Sequence, residues 1–296
     1  MPSTLSFVHP LTRQPLTAIV GGWQLDSTGE VFANQGSVPS FVPVSLRGHV
    51  EEERSDFVNM VKTLLRSWPK LYVALIWLIS PVCYTGLTAR KFLKTFAKDA
   101  LLLNVGSGVH QFGERVINTD IFPYKGVDVV ADATMLPFAD NTFDGAICEC
   151  LLEHVTEPHK VVDEMLRVLK PGGRIFLSVP FVYPFHACPH DYYRWSSMGV
   201  RELCKNGHID IVASRSGPTS ALVAQLVTWL AITLSFGSTK LYNVLSMVLL
   251  IPLSPLKFFD YIVGRFPTAI HGTEAFYAVV SKRTGQSGQI AVQNAD

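Results

Sequence analysis

Short apolar segments alternate with amphipathic segments between residues 100 and 215. The apolar runs each end near Gly, Asp or Pro and lie at 101–105, 115–120, 126–132, 143–148 and 174–180. Near-continuous apolar strands of this length are typical of a parallel sheet that is covered on both faces. Apolar spacing also predicts helices at 159–169 and 197–205, the second with Ser196 or Ser197 as its N-cap. The pattern therefore predicts a doubly wound α/β domain with a mostly parallel sheet.

The N-terminal part of the chain has a different pattern. Residues 1–50 are rich in Pro, Gly, Ser and Thr, and their β-like runs at 16–25 and 30–33 predict a small β-rich module. Residues 51–99 are expected to form a helical linker. Within it, the uncharged run 71–89 is interrupted by a proline, whereas a membrane-spanning helix needs about 20 apolar residues. We therefore expect a buried or interfacial helix there.

Composition narrows the classes of partner. The 296 residues carry a formal net charge of +1, so no basic surface for nucleic acid is expected. Charged residues make up 17% of the chain, below the roughly 25% typical of soluble domains, and hydrophobic residues make up 48%. The five cysteines show no paired spacing, and no signal peptide is recognised. These features favour free thiols and a cytoplasmic location, with membrane association left open.

The most informative signal for chemistry is the turn Gly106-Ser107-Gly108, directly after the first apolar run. Glycines here let the backbone pass close to a ligand, although a tight strand-to-helix turn needs them as well. Asp120 ends the next run, where a carboxylate can accept both ribose hydroxyls of an adenosine ligand. A nicotinamide fingerprint would need a third glycine in place of Gln111 and an acid about 20 residues on. A nicotinamide-dependent enzyme is therefore disfavoured.

Four separated segments occur in an order that resembles a known family. They are LLLNVGSG, NTD, VVADATMLPFADNTFDGAICECLLEHV and VVDEMLRVLKPGGRIFLSVPF. Together they resemble the class I methyltransferases that depend on S-adenosylmethionine, and above all the type 11 group, which includes ubiquinone and menaquinone methyltransferases. The resemblance covers about residues 100–215 and implies S-adenosylmethionine as cofactor. It also implies a Rossmann-like, seven-stranded sheet with a late antiparallel strand at 274–282.

The resemblance also implies roles for individual residues. The glycine turn would approach the methionine part of the cofactor, and Asp120 would hold the ribose with Ile121 beside the adenine. Asp132 would accept from the adenine amine, and the Ala133 N–H would donate to a ring nitrogen. The cofactor-binding residues implied in this way are Asn104, Gly106, Ser107, Gly108, Asp120, Ile121, Asp132, Ala133, Cys148 and Glu149. The last two would pass the methionine amine with their backbone.

The chain departs from the family pattern around the glycine turn. Asn104 stands where the family usually has an acid, and His110 stands where a third glycine is common. Asn104 can still hydrogen-bond, but it brings no charge to the cofactor amine. The short stretch between Gly108 and Asp120 predicts that the first helix is a stub or an irregular loop.

The N-terminal segment HPLTRQPL…GEVFANQGSVPSFVP is similar to a small zinc-ribbon-like segment that precedes some methyltransferases. Ribbons of that kind hold zinc through four cysteines. Because no cysteine precedes Cys83, we expect a degenerate ribbon without metal.

The loop 180–200 concentrates polar and aromatic residues after the last apolar run. Ligands bind beyond the carboxyl ends of strands in a doubly wound sheet, so this loop should face the methyl donor. His186 or His190 is expected to remove the proton of an acceptor hydroxyl, with Asp191 orienting a histidine or the substrate. The alternative is that Asp191 and Arg194 form a structural ion pair and the histidines only cap the loop.

No metal site is expected from the sequence. His186, Cys188 and His190 lack a second cluster that would complete a four-ligand set. The pair Glu153-His154 is interpreted as the start of a helix in preference to a substrate-facing motif.

Two uncharged runs, 216–239 and 241–256, lie in the C-terminal part of the chain. They predict helices inserted within 217–273, before the last strand. We favour a cap packed over the active site. The alternative is a peripheral membrane contact that brings the enzyme to a lipid-linked acceptor. Spanning is disfavoured because no Lys/Arg cluster flanks the runs, and the polar tail 283–296 is expected to be disordered.

The sequence thus predicts methyl transfer from S-adenosylmethionine to a small-molecule, sugar (glycan) or lipid acceptor, at an oxygen atom. Two alternatives stay open. One is a non-catalytic module that binds S-adenosylmethionine or S-adenosylhomocysteine, motivated by Asn104 and the missing helix. The other is a membrane-associated scaffold, motivated by the apolar runs.

Overall fold

The computed structural model describes residues 5–42, 78–186 and 190–284. The predicted linker helix at 51–70 and the C-terminal tail from residue 285 lie outside these ranges. The first part of the uncharged run 71–89 does so as well.

The N-terminal module is a three-stranded antiparallel sheet. Its strands are β1 (Thr17–Ile19), β2 (Gly22–Leu25) and β3 (Glu30–Ala33). The first β-like run of the sequence is thus two strands instead of one, because Gly21 takes a φ of +80° and turns the chain between them. The module lies beside the larger sheet, where the N–H of Phe41 donates to the carbonyl of Val130.

The main sheet has seven strands. They are β4 (Leu102–Val105), β5 (Val116–Asp120), β6 (Val129–Val130), β7 (Phe143–Glu149), β8 (Leu169–Pro180), β9 (His208–Ser216) and β10 (Ala275–Ser281). Their order is β6-β5-β4-β7-β8-β10-β9, with β4 to β8 parallel and β10 antiparallel to both neighbours. The predicted fold class is therefore confirmed, including the late antiparallel strand.

The helices are α1 (Ala89–Leu93), α2 (Pro158–Val168), α3 (Ser197–Leu203), α4 (Pro218–Ser235), α5 (Thr239–Leu253) and α6 (Asp260–Val263). Short 3₁₀ turns cover Leu152–His154, Ser254–Phe259 and Pro267–His271. The sequence anticipated α2 and α3, and Ser196 caps α3 by accepting from the N–H of Gly199. An irregular loop joins β4 to β5 where a crossover helix would be usual, as the sequence predicted.

The apolar strands of the sheet are buried on both faces, as the sequence pattern required. Every residue of β4 is buried, and the core continues through β7 and β8 into α2. Strand β9 was not predicted. Its residues are exposed or half-buried until Arg215, because it is the edge strand of the sheet. An edge strand lacks the continuous apolar run that marked its neighbours.

Helices α4 and α5 form an apolar hairpin between β9 and β10. Helix α4 packs part of its surface against the protein, but α5 contributes no buried residue. The favoured sequence interpretation, a cap packed over the active site, stays a prediction, and the lack of buried residues in α5 gives it no support. Both segments, Pro218–Ser235 and Thr239–Val263, are long and apolar enough to cross a membrane by length and composition.

Asp260 holds the start of this hairpin. Helix α4 begins after Gly217, which has no side chain to cap it. The fully buried carboxylate of Asp260 instead accepts from the N–H groups of Thr219 and Ser220, each at 2.8 Å, and from the Ser220 hydroxyl at 2.6 Å. A residue about forty positions away thus supplies the N-cap and ties α6 to α4.

We expect Asp260→Ala to lower the free energy of unfolding by about 2–3 kcal/mol, because it leaves buried donors without an acceptor. Urea denaturation of the full chain measures this. The control is Asp163→Ala, which removes a half-buried carboxylate on α2 whose hydrogen bond with Asn206 is exposed, and it should change stability by less than about 0.5 kcal/mol. Equal effects of the two substitutions would contradict the cap.

Candidate functional site

The strand order reverses between β4 and β7. The chain proceeds from β4 to β5 on one side of the sheet, and from β7 to β8 on the other. Ligands in open α/β sheets bind in the crevice outside the carboxyl ends of the strands at such a reversal. Gly106 follows β4 there with a φ of +69°, and a Cβ at this position would lie 2.7 Å from the Leu151 side chain that follows β7. Glycine is required in this narrow crevice.

Asp120 ends β5 beside the glycine turn. One carboxylate oxygen accepts from the N–H of Gly108 at 2.8 Å, and the other accepts from the N–H of Phe122 at 3.0 Å. Burial raises the pKa of this carboxyl group, and the backbone N–H groups of Phe122 and Gly108 oppose the rise. The turn and the acid predicted to share one ligand therefore lie within hydrogen-bonding distance of each other.

The crevice has the properties that an adenosyl ligand needs. The Ser107 hydroxyl is buried and has no hydrogen-bond partner among the described residues. The space above Gly108 is open, since a Cβ added there would meet nothing within 4 Å. Asp120 still has acceptor capacity, because a carboxylate can accept about four hydrogen bonds. The crevice thus offers a hydroxyl group, a carboxylate acceptor and uncovered backbone, which together fit S-adenosylmethionine.

The other predicted cofactor residues lie at the ends of the same strands. Asp132 is half-buried and accepts from the N–H and hydroxyl of Thr134 at 2.8 and 2.7 Å. Ile121 packs against a small apolar cluster that includes Val130, and Ala133 packs against the main core. Cys148 is fully buried, which holds the pKa of its thiol well above the usual value.

Asn104 faces the interior of the sheet. It is buried, and its side-chain amide donates to the Asn118 side chain at 3.0 Å and to the His110 carbonyl at 3.3 Å. Its hydrogen bonds fasten β4 to β5 and to the loop that replaces the helix. A direct contact of the Asn104 side chain with a cofactor stays a prediction.

Glu149 forms an ion pair that the sequence analysis missed. Arg215, at the end of β9, is buried and donates to the Glu149 carboxylate and to the Ser178 hydroxyl. Its guanidinium also lies over the Tyr84 ring, 4.4 Å from the centroid. The arginine neutralises an acid at the crevice. The signal available in the sequence was a charged residue directly before the uncharged run 216–239.

Asp191 and Arg194 form the structural ion pair that was the alternative interpretation of the loop 180–200. The Arg194 guanidinium donates to both Asp191 oxygens, at 2.5 and 2.7 Å, and it holds the pKa of Asp191 down to about 2. Asp191 also accepts from the N–H of His186 at 2.8 Å. His186 and Asp191 are therefore brought together. His190 is not, because its carbonyl instead of its ring contacts the His154 Nδ1, at 2.5 Å.

Glu153 lies at the centre of this region, although the sequence analysis treated it as the start of a helix. Its side chain is buried, and neither carboxylate oxygen has a hydrogen-bond partner in another described residue. Burial raises its pKa to about 7, and its own backbone N–H and Arg194 offset only part of that rise. The Nε2 atoms of His154 and His186 lie 3.9 and 3.8 Å from the same Glu153 oxygen. The tertiary structure alone brings these three residues together.

Comparison with known proteins agrees with this geometry. Residues 83–177 match a family described as a methyltransferase domain. A demethylmenaquinone methyltransferase of Renibacterium salmoninarum is 31% identical over 148 residues, covering 47% of this chain and 58% of the relative. A ubiquinone/menaquinone biosynthesis C-methyltransferase of Idiomarina loihiensis is 43% identical over 81 residues, covering 27% of this chain and 31% of the relative.

Residues 83–177 belong to the class I methyltransferase domains. The expected family and its cofactor, S-adenosylmethionine, are thereby confirmed for this domain. The chain covers less than two thirds of the length of these relatives. The match begins at residue 83, so the ribbon-like interpretation of the N-terminal module stays a prediction.

The raised pKa of Glu153 makes stability depend on pH in the methyltransferase domain. The folded-state pKa, about 7, lies above the ordinary 4.5, so ionisation destabilises the fold as pH rises between these values. Glu153→Gln cannot ionise. The free energy of unfolding of Glu153→Gln, relative to that of the wild type, should therefore rise with pH by on the order of 2–3 kcal/mol. The rise should level off above pH 7.

Urea denaturation at pH 5 and pH 8.5, in the presence of a chelator, measures this difference. Glu202→Gln is the control, since Glu202 is an exposed glutamate beside Lys205 and its substitution should give the same difference at both pH values. A Glu153→Gln difference that is independent of pH would refute the buried, unpaired carboxylate.

Proposed function

We propose that the protein transfers a methyl group from S-adenosylmethionine to an oxygen of a small amphiphilic acceptor held at a membrane surface. The observation that carries the proposal is the crevice at the strand reversal, where the Gly106 turn and the Asp120 carboxylate adjoin. When bound, S-adenosylmethionine supplies an electrophilic methyl group on a positively charged sulfur. One relative is named a demethylmenaquinone methyltransferase and the other a ubiquinone/menaquinone biosynthesis C-methyltransferase. Both names favour an acceptor with an apolar part, and the second makes methylation at carbon the alternative to oxygen.

Different residues of the crevice are proposed to contact different parts of the cofactor. Asp120 is proposed to accept from the ribose hydroxyls, and the uncovered backbone at Gly108 allows the ligand to approach it. Asp132 and Ala133 are proposed to contact the adenine from the end of β6. Because Asp120 is already fixed by two backbone N–H groups, little rearrangement is needed for it to bind.

His186 is the better placed of the two proposed bases. Burial lowers the pKa of its ring, so the ring is neutral near pH 7 and can accept a proton. Its Nδ1 lies 3.2 Å from the Pro184 carbonyl and 3.3 Å from the Arg194 Nη2, which already donates to Asp191 and to that carbonyl. With the hydrogen assigned to Nδ1, Nε2 carries the free lone pair. Asp191 orients the loop by accepting from the backbone N–H of His186. The ring is about one third exposed, which leaves it within reach of an acceptor hydroxyl.

The apolar hairpin supports contact with a lipid bilayer. Exposed side chains on its two helices are large and apolar, and they include Leu222, Trp229, Ile232, Leu241, Val244, Val248 and Ile251. Helix α4 has apolar residues on its exposed side as well as its buried side, unlike the helices of soluble domains. Contact with lipid removes this surface from water.

Four hydroxyl groups of the hairpin form hydrogen bonds within their own helix. The hydroxyls of Thr228, Thr233, Ser235 and Ser246 donate to backbone carbonyls three or four residues earlier. Internal satisfaction of polar groups is the condition for placing a helix in a lipid environment. Lys240 is the only charged residue in α4 or α5, and it lies beside the turn that joins them.

The first test of the proposed function is calorimetric binding of S-adenosylhomocysteine to the full chain. We expect micromolar binding that falls at least tenfold in Asp120→Ala, because the ribose loses its buried acceptor, about 1.4 kcal/mol or more. Asp163→Asn, on the surface of α2, is the control and should bind as the wild type does. Wild-type protein that binds neither this product nor S-adenosylmethionine would refute the proposal. Binding without turnover on any membrane extract would favour the non-catalytic module.

Flotation with vesicles of phosphatidylcholine and phosphatidylglycerol tests the membrane contact. The wild type should float with the vesicles, whereas Val244→Glu/Val248→Glu should stay in the dense fraction, because two charges then enter the apolar face. Val31→Glu is the matched control, since Val31 is as exposed as Val248 but lies on the N-terminal sheet. Flotation that both variants share with the wild type would contradict a contact through the hairpin.

A further inference from the structure

Three side chains converge next to the methyltransferase crevice, and each presents a lone pair. The ligand atoms of Glu153, His154 and His186 all lie within 4.8 Å of one another. The rings of the two histidines meet edge to face, with their centroids 5.2 Å apart. The carboxylate is buried, while the histidines are half-buried, so the cluster opens towards solvent on one side.

The tautomers of both histidines follow from their other ring nitrogen. The His154 Nδ1 lies 2.5 Å from the His190 carbonyl, and the His186 Nδ1 lies 3.2 Å from the Pro184 carbonyl. A carbonyl only accepts, which assigns the hydrogen to each Nδ1 and leaves each Nε2 as a bare acceptor. The Arg194 Nη2 lies 3.3 Å from the His186 Nδ1, but it already donates to Asp191 and to the Pro184 carbonyl. Two acceptors therefore point at a Glu153 oxygen, which is itself an acceptor when ionised. A hydrogen-bonded carbonyl behind the ring is also the arrangement that orients metal-binding histidines.

Nearby positive charge does not satisfy the cluster. Arg194 is the arginine whose charge most affects Glu153, and its guanidinium already donates to Asp191 and to the Tyr183 and Pro184 carbonyls. Asp191 and Glu274 add negative potential at the same carboxylate. A buried, unpaired carboxylate facing two lone pairs requires either a proton or a cation.

We infer that Glu153, His154 and His186 form a binding site for a divalent transition-metal ion of the zinc class. Two imidazole nitrogens and one carboxylate oxygen are a ligand set that zinc takes in open sites, with a further position left for water or another ligand. Zinc bonds of about 2.0–2.2 Å place tetrahedral ligand atoms roughly 3.3–3.5 Å apart. The 3.8 and 3.9 Å separations between Glu153 and the histidines therefore need to close by about half an ångström. The separation between the two histidine ligand atoms is at most 4.8 Å and needs to close by at most about 1.5 Å.

The inference does not rest on methyl transfer, and its test needs no enzymatic activity. A bound ion and the proposed base use the same His186 Nε2 lone pair, so the ion is expected to prevent His186 from accepting a proton while it is bound. Tag-free full-length protein is stripped with a chelator, desalted and titrated with Co²⁺, whose visible absorption reports tetrahedral coordination. Competition with Zn²⁺, followed by calorimetry, gives the affinity. We expect one ion per chain in the wild type. Affinity should fall at least tenfold in Glu153→Gln, His154→Ala and His186→Ala, because loss of supporting partners alone costs 10- to 100-fold.

His208→Ala is the matched control. His208 is an exposed histidine on β9 whose Nε2 lies 3.7 Å from an Asp210 oxygen, so it offers the same ligand types without the buried cluster. This variant should bind as the wild type does. A second readout uses stability: stoichiometric Zn²⁺ should remove the stability gap between Glu153→Gln and the wild type at pH 8.5, since the ion then pairs with the carboxylate.

Either of two results would overturn the site. One is a wild type that takes up no Co²⁺ or Zn²⁺ after stripping, which would mean that a proton alone occupies the cluster. The other is metal binding that Glu153→Gln and His186→Ala retain undiminished. Because binding of S-adenosylhomocysteine is measured separately, failure of the metal site is distinguishable from failure of the proposed methyltransferase.

Discussion

Gly106 passes so close to Leu151 that no side chain fits between the ends of β4 and β7. This close approach joins the two halves of the sheet at the point where the strand order reverses. The same turn brings the N–H of Gly108 to the Asp120 carboxylate, so a single left-handed turn orders three strand ends. A ligand at the crevice can approach the backbone of the turn closely, beside the Asp120 carboxylate, which suits a cofactor with many polar atoms.

Buried acids in this domain are neutralised in different ways. Glu149 pairs with Arg215, and Asp191 pairs with Arg194. Glu164, on α2, accepts from two arginines, one of them Arg13 of the N-terminal module. Such pairs cost little when every lone pair has a donor. Glu153 stands apart because no side chain donates to it among the described residues, and this contrast makes it the most informative side chain of the site.

The hairpin of α4 and α5 differs from the sheet because its base is buried while the rest of it is largely exposed. Asp260 and Ser220 secure its base inside the protein, while its far end shows apolar side chains to solvent. It leaves the fold between β9 and β10, next to the strand that carries Arg215. A membrane contact made there would lie on the part of the chain that follows the crevice, which is consistent with an acceptor that has an apolar part.

The sequence by itself determined the sheet and its cofactor. Apolar runs of strand length specified β4, β5, β7 and β8, because strands buried on both faces admit few polar residues. The short stretch before Asp120 also showed that a helix would be missing. Strand β9 was not predicted, because an edge strand is partly exposed and lacks a continuous apolar run. Only the tertiary structure decided the rest. Arg215 and Asp260 find partners 40 or more residues away, and Glu153 is brought beside the distant His186. The energy of a buried charge depends on such neighbours, which the linear pattern does not reveal.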